Sequence, residues 1–199
     1  MTIHRDKEQI RCLMTNLSAI RSEQSPNEMY IEGYFAVFGK QTELWPGAFE
    51  EIAPEAFSET LGNDIRALIN HDSTLVLGRN KAGTLELKAD SHGLWGRIKI
   101  NPNDSDAVNL YERVKRGDVD QCSFGFNILD EETEWREDGT VKWTIKKIEL
   151  HEVSVCTFPA YEDTGVQARQ AEYTQHIERG KDQKKHNLKE RLKPWHSDN

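Results

Sequence analysis

The sequence lacks any long apolar run. No window approaches the roughly 18 consecutive apolar residues that a membrane-spanning helix needs, and the first residues, MTIHRDKEQIRC, hold no apolar stretch of the secretory type. Basic charge is short as well. There are 26 Lys and Arg against 34 Asp and Glu, a formal charge of −8 over 199 residues, whereas a dedicated nucleic-acid binder normally has the reverse balance. Cysteine is scarce and odd in number. Cys12, Cys122 and Cys156, with no CxxC among them, fit free thiols in a reducing compartment better than a disulfide framework. No Cys/His spacing matches a structural zinc site, and the seven histidines are scattered without an HExxH. Neither a metal nor an organic cofactor is expected, and neither membrane nor nucleic acid is an expected partner.

What is present is unevenly distributed. Apolar residues make up only 36% of the chain, and both ends are poorer still. Residues 170–199 contain five acids and seven bases and almost no aliphatic side chains, so they carry +2 and leave −10 on residues 1–169. Such a tail buries too little apolar surface to offset its ordering entropy. The expected organisation is a polar arm over 1–27, one packed domain over 28–166, and a charged tail over 167–199 that is helical or disordered.

Within the packed window the pattern is rich in strands. Residues 30–38, aromatic and β-branched and closed by Gly39, read as a strand. Pro54 to Leu61 before Gly62 reads as a short helix. The alternation of Ile65, Ala67 and Ile69 predicts a strand over 64–71, and 84–90 with 93–100 predicts a hairpin. Asp104 or Ser105 can cap a helix whose apolar face is Ala107, Leu110, Tyr111 and Val114 and which ends at Gly117. Strands are predicted over 121–129, 141–145 and 147–157. The fold class is therefore mostly β with peripheral α-helices (α+β), arranged as a barrel with short helices on its surface.

Three places could carry chemistry. His71 follows Asn70 at a strand end. Ser123 opens a strand in Gln121-Cys-Ser-Phe-Gly-Phe126, on the face of Gly125 and Asn127. Glu152 lies in Leu150-His-Glu-Val-Ser-Val-Cys156, where alternation puts it with Ile148, Leu150 and Cys156 and sends His151 to the other face. Singly, each is most simply structural: a capping histidine, a small residue in a strand, an acid with a hydrogen-bonding partner. Together they are the parts of a nucleophilic triad, in which an imidazole takes the serine proton and a carboxylate orients the imidazole. The order His, Ser, acid is not that of trypsin or subtilisin, and no GxSxG marks an α/β-hydrolase. Asp72, adjacent to His71 in the chain, is a weaker third member because a neighbouring acid seldom reaches the imidazole. Arg116-Gly117-Asp118 is read as a helix end, and the lysines of 181–193 as a solvated face.

Longer blocks carry a resemblance. Gly33-Tyr-Phe-Ala-Val-Phe38, Asn70-His71-Asp72 with Leu77-Gly78-Arg79, Gly93-Leu94-Trp95, Ser123-Phe-Gly-Phe126 and Glu152-Val-Ser-Val-Cys-Thr-Phe-Pro-Ala-Tyr161 together resemble the prohead proteases of tailed phages over about residues 28–166. That family is similar in fold to the herpesvirus assemblin proteases, which implies a closed or partly closed β-barrel surrounded by short helices. In assemblins the third member opens a strand with a Cys four residues on. Glu152 and Cys156 reproduce that spacing, although the assemblin residue is a histidine, so His151 competes with Glu152.

The resemblance implies Ser123 as nucleophile, His71 as general base and then acid, and Glu152 as the orienting carboxylate. It places the oxyanion hole near Pro159, and because proline has no N–H the donors would be the amides of Ala160 or Tyr161. It further implies a serine endopeptidase inside the assembling procapsid, in the host bacterial cytoplasm. The expected substrates are the scaffolding part of the major capsid protein and the protease itself, and a homodimer is expected. The alternative function is a non-catalytic scaffolding or assembly protein on the same fold.

Overall fold

The strand-rich reading meets two sheets. The computed structural model describes residues 9–14, 17–22, 28–158 and 164–191. Eleven strands are found there: β1 (Gln9–Met14), β2 (Ser18–Arg21), β3 (Met29–Val37), β4 (Thr42–Trp45), β5 (Ala48–Ile52), β6 (Arg66–Ile69), β7 (Asp72–Arg79), β8 (Leu85–Ala89), β9 (Gly93–Ile100), β10 (Gln121–Trp135) and β11 (Val141–Cys156). Two α-helices accompany them, α1 (Ser105–Arg116) and α2 (Thr164–Arg191). One sheet runs β2-β3-β9-β8. The other has the order β1-β10-β11-β5-β4, with β6 and β7 added alongside β11. The protein is thus mostly β with peripheral helices, and no closed barrel is found among the described residues.

The core gathers the apolar faces of these strands. Ile31 and Phe35 of β3, Leu94 and Ile98 of β9, Phe124 and Phe126 of β10, and Val153 and Val155 of β11 are almost fully buried in one cluster. Burying a side chain of this size stabilises by about 1.5–3 kcal/mol. β3 and β9 approach so closely that a Cβ on Gly93 would lie 2.0 Å from the Ala36 carbonyl oxygen, leaving room for glycine alone. Helix α1 adds Ala107, Leu110, Tyr111 and Val114 to the cluster. Its ends follow the expected chemistry. Asp104 accepts hydrogen bonds from the amides of Asp106 (3.0 Å) and Ala107 (3.2 Å), and Gly117 closes the helix at φ +85°.

Several expectations are corrected. The short helix expected over 54–61 is confined to Pro54–Phe57 and is a 3-10 helix. The Thr60 and Asn63 amides bond three residues back, to Phe57 and Thr60, and the Thr60 hydroxyl is held by the Leu150 amide at 2.7 Å. The strand expected over 64–71 stops at Ile69 and turns directly into β7. The separate strands at 141–145 and 147–157 are one strand, β11, which pairs in parallel with β5 along its first part and with β6 along its last. The arm over 1–27 contains β1 and β2, hydrogen-bonded to β10 and β3.

The chain divides into two compact units, Met1–Asp163 and Thr164–Asn199. In the second, α2 is a polar helix with no proline before its end and an Asp182–Lys185 pair one turn apart at 3.7 Å. Among the described residues no helix is long and apolar enough to cross a membrane.

Candidate active site

The site is built where β10, β11 and the β6–β7 turn meet. Register places side chains first. Directly opposed residues of an antiparallel pair share a face. Ser123 opposes Ser154 and Gly125 opposes Glu152, while Phe124 opposes Val153 and Phe126 opposes Leu150. The phenylalanines and their partners face the core, so Ser123, Glu152 and Ser154 lie on the other side of the sheet. Between Leu150 and Glu152 the register shifts, and His151 has no partner on β10. This is a β-bulge, and one extra residue re-aims everything beyond it. Strict alternation put Glu152 with Leu150 and Ile148; the bulge separates them and leaves Glu152 with Ser154 and Cys156.

His71 arrives by a tight turn. Ile69 pairs with Asp72, so Asn70 and His71 form a two-residue hairpin loop with φ +49° and +62°. Positive φ at both positions marks a type I′ turn, which asparagine accepts more readily than most residues. Asn70 also fastens the turn to β11. Its amide donates to the Val155 carbonyl at 3.1 Å, and its Oδ1 accepts the Thr157 amide at 2.9 Å.

So positioned, His71 Nδ1 lies 2.7 Å from Glu152 Oε1, with both side chains largely buried. A carboxylate at Nδ1 requires the proton there and leaves Nε2 as the lone-pair nitrogen. Ser154 completes the arrangement. Its hydroxyl donates to Glu152 Oε2 at 2.6 Å and accepts the His71 backbone N–H at 3.2 Å. Cys156 Sγ lies 3.7 Å from His71 Nε2. Chemically this is an imidazole with a fixed tautomer and a charge-stabilising acid behind it, fit to accept a proton at Nε2.

Of the residues singled out in the sequence, His71 and Glu152 are brought together. Ser123 is on the same sheet face as Glu152, but its hydroxyl donates to the Arg11 carbonyl at 2.9 Å and it is fully buried. His151 sits in the bulge, with no hydrogen bond to His71 among the described residues. Asp72 is turned to the Thr74 amide (2.8 Å) and hydroxyl (2.6 Å), which hold its carboxyl below the ordinary carboxylate range. Ala160 and Tyr161 lie outside the described residues. Ser154, Asn70 and Cys156 escaped sequence reasoning as partners of His71; the i, i+2, i+4 spacing of Glu152, Ser154 and Cys156 on one strand was the available signal. Among the described residues no group of His, Cys, Asp or Glu is arranged to hold a metal ion.

Comparison with known proteins agrees with the sequence blocks. The chain is 29% identical over 163 residues to the prohead protease of Enterobacteria phage HK97, covering 81% of this chain and 69% of that one. It is 27% identical over 150 residues to the prohead protease of Escherichia phage T5, covering 74% and 66%; the chain thus spans about two thirds of the length of these relatives. Among solved structures, the bacteriophage T4 capsid assembly protease matches with a TM-score of 0.45 at 11% identity, over 77% of this chain and all of that one. The family model for the caudovirus prohead serine protease matches residues 16–179, and the chain belongs to that family.

Proposed function

We propose that this protein is a serine endopeptidase that matures a phage procapsid, with Ser123 as nucleophile, His71 as general base and acid, and Glu152 as the orienting carboxylate. The observation that carries the reading is the 2.7 Å contact of Glu152 with His71 Nδ1. In the reaction, Ser123 Oγ attacks the scissile carbonyl carbon while its proton passes to His71 Nε2. The imidazolium so formed is stabilised by Glu152, and it returns the proton to the leaving amine nitrogen as the C–N bond breaks. Water, deprotonated in turn by His71, then releases the acyl group from Ser123. The amides of Ala160 or Tyr161 are the proposed oxyanion donors. The substrates are the scaffolding part of the major capsid protein and the protease itself, inside the assembling procapsid in the host cytoplasm, and the working form is a homodimer. The likeness to assemblins rests on the order of His71, Ser123 and Glu152 in the sequence and on the Glu152–Cys156 spacing, and not on barrel closure.

One observation favours a second nucleophile: the Cys156 thiol, not the Ser123 hydroxyl, is beside His71 Nε2. Co-expression with capsid protein, read by mass spectrometry of the products, tests both. Ser123→Ala abolishes cleavage and Cys156→Ala retains it; the opposite pattern makes this a cysteine peptidase. A non-catalytic assembly protein would leave the capsid protein uncut in every case, wild type included.

A further inference from the structure

The nucleophile strand has two hydrogen-bonding edges. One is taken by β11. Along the other, β1 pairs antiparallel with residues 121–126, from Gln9 opposite Phe126 to Met14 opposite Gln121. An extended polypeptide that brought its carbonyl to Ser123 by strand addition would need that second edge. A carbonyl is already there: that of Arg11, accepting the Ser123 hydroxyl at 2.9 Å, with Ser123 fully buried.

The same residue fastens β1 in place. The Arg11 guanidinium meets the buried Glu50 of β5 in a two-point contact, Nε on Oε1 and Nη2 on Oε2 at 2.9 Å. Its Nη1 donates to the Ile10 carbonyl at 2.9 Å, and it lies 5.9 Å from the centre of the Phe126 ring. A groove bordered by Arg11, Ala36, Glu50, Ile52 and Phe124 runs alongside. A planar guanidinium gripping a carboxylate at two points is among the stronger polar contacts a protein makes.

We propose that the outer edge of β10 is the binding site for an extended polypeptide, that residues 9–14 fill it as a resident strand, and that Arg11 on Glu50 is the latch that must open before Ser123 can act. The site accepts a strand that places a basic side chain over Glu50. The proposal rests on Ser123 being the nucleophile.

Labelling of Ser123 in the full chain by a fluorophosphonate, alongside amide hydrogen exchange, tests it. Arg11→Ala reacts at least about ten-fold faster than wild type, because a buried charge pair has been broken, and exchange rises at residues 9–14 while β11 stays protected. Glu50→Gln, which keeps the shape of the site, moves both readings the same way. A hexapeptide with the sequence of residues 9–14 slows labelling of Arg11→Ala, and the same peptide with Glu in place of Arg does not. Labelling that depends on His71 but is equal in wild type and both variants overturns the latch and spares the triad. A variant whose residues 9–14 exchange freely and whose Ser123 still never reacts overturns both.

Discussion

Ser154 holds both partners of the His71–Glu152 pair: its hydroxyl donates to the Glu152 carboxylate at 2.6 Å and accepts the His71 backbone amide at 3.2 Å. It touches no reacting atom in the proposed mechanism and is a positioning residue. Ser154→Ala leaves two buried polar groups short of a partner, each costing about 1–3 kcal/mol. The expected outcome is a kcat lower by about ten- to a hundred-fold with KM nearly unchanged. Ser154→Thr, which keeps the hydroxyl, recovers a large part of the loss and the wild-type pH profile of kcat.

The third member of the triad is decided by two substitutions measured side by side. Glu152→Gln keeps the volume but cannot stabilise the imidazolium, and kcat falls by about a thousand-fold or more. His151→Ala stays within a few-fold of wild type. A reversal of these two results assigns the role to His151.

The β6–β7 turn depends on backbone conformation. Asn70→Gly keeps the positive φ and loses only the side-chain bond to Thr157, costing about 1 kcal/mol. Asn70→Val adds left-handed strain of about 1–2 kcal/mol on a branched residue. Thermal unfolding should rank wild type above Asn70→Gly above Asn70→Val, and activity should fall in the same order as His71 is displaced.

Acid sensitivity follows from exposed aspartates. Hydrogen bonds lower Asp72 through the Thr74 hydroxyl and amide, Asp64 through Arg79, Asp90 through Tyr34, and Asp138 through the Thr140 amide, each from an ordinary 3.8. A carboxyl with a folded pKa below its unfolded one binds protons more readily in the unfolded chain. Its stabilisation is therefore full above roughly pH 5 and is lost as pH falls through the folded value. Melting temperature should be flat from neutral pH to about 5 and decline below it. Asp72→Asn should flatten that decline and leave activity at neutral pH within a few-fold. A collapse of activity would instead make Asp72 the orienting acid.

Much of this was legible from residue order. Asp104 and Gly117 delimited α1, and Asp90 to Gly93 delimited the β8–β9 hairpin, because caps and tight turns are local chemistry. The alternation of Ser123 and Gly125 against Phe124 and Phe126 gave the faces of β10. What escaped depends on partners distant in the chain. Ala48–Ile52 became a strand by pairing with β11, far along the chain, and Thr42–Trp45 then adds to it as a hairpin. β1, from an arm read as polar, became a strand by pairing with β10. Over 54–61 only Pro54–Phe57 is helical, as a 3-10 turn, and the Thr60 hydroxyl is taken by the amide of the distant Leu150. Period-two reasoning placed Glu152 rightly with Cys156 but wrongly with Ile148 and Leu150, since no periodicity announces an inserted residue.

That inserted residue makes an irregularity of the sheet a requirement of the site. Were β11 to run on from Leu150 in unbroken register with β10, His151 would oppose Gly125 and Glu152 would oppose Phe124, its carboxylate turned into the apolar interior and away from His71 Nδ1. The meeting of acid and imidazole therefore depends on a break in the ladder at 151, and regular pairing would undo it.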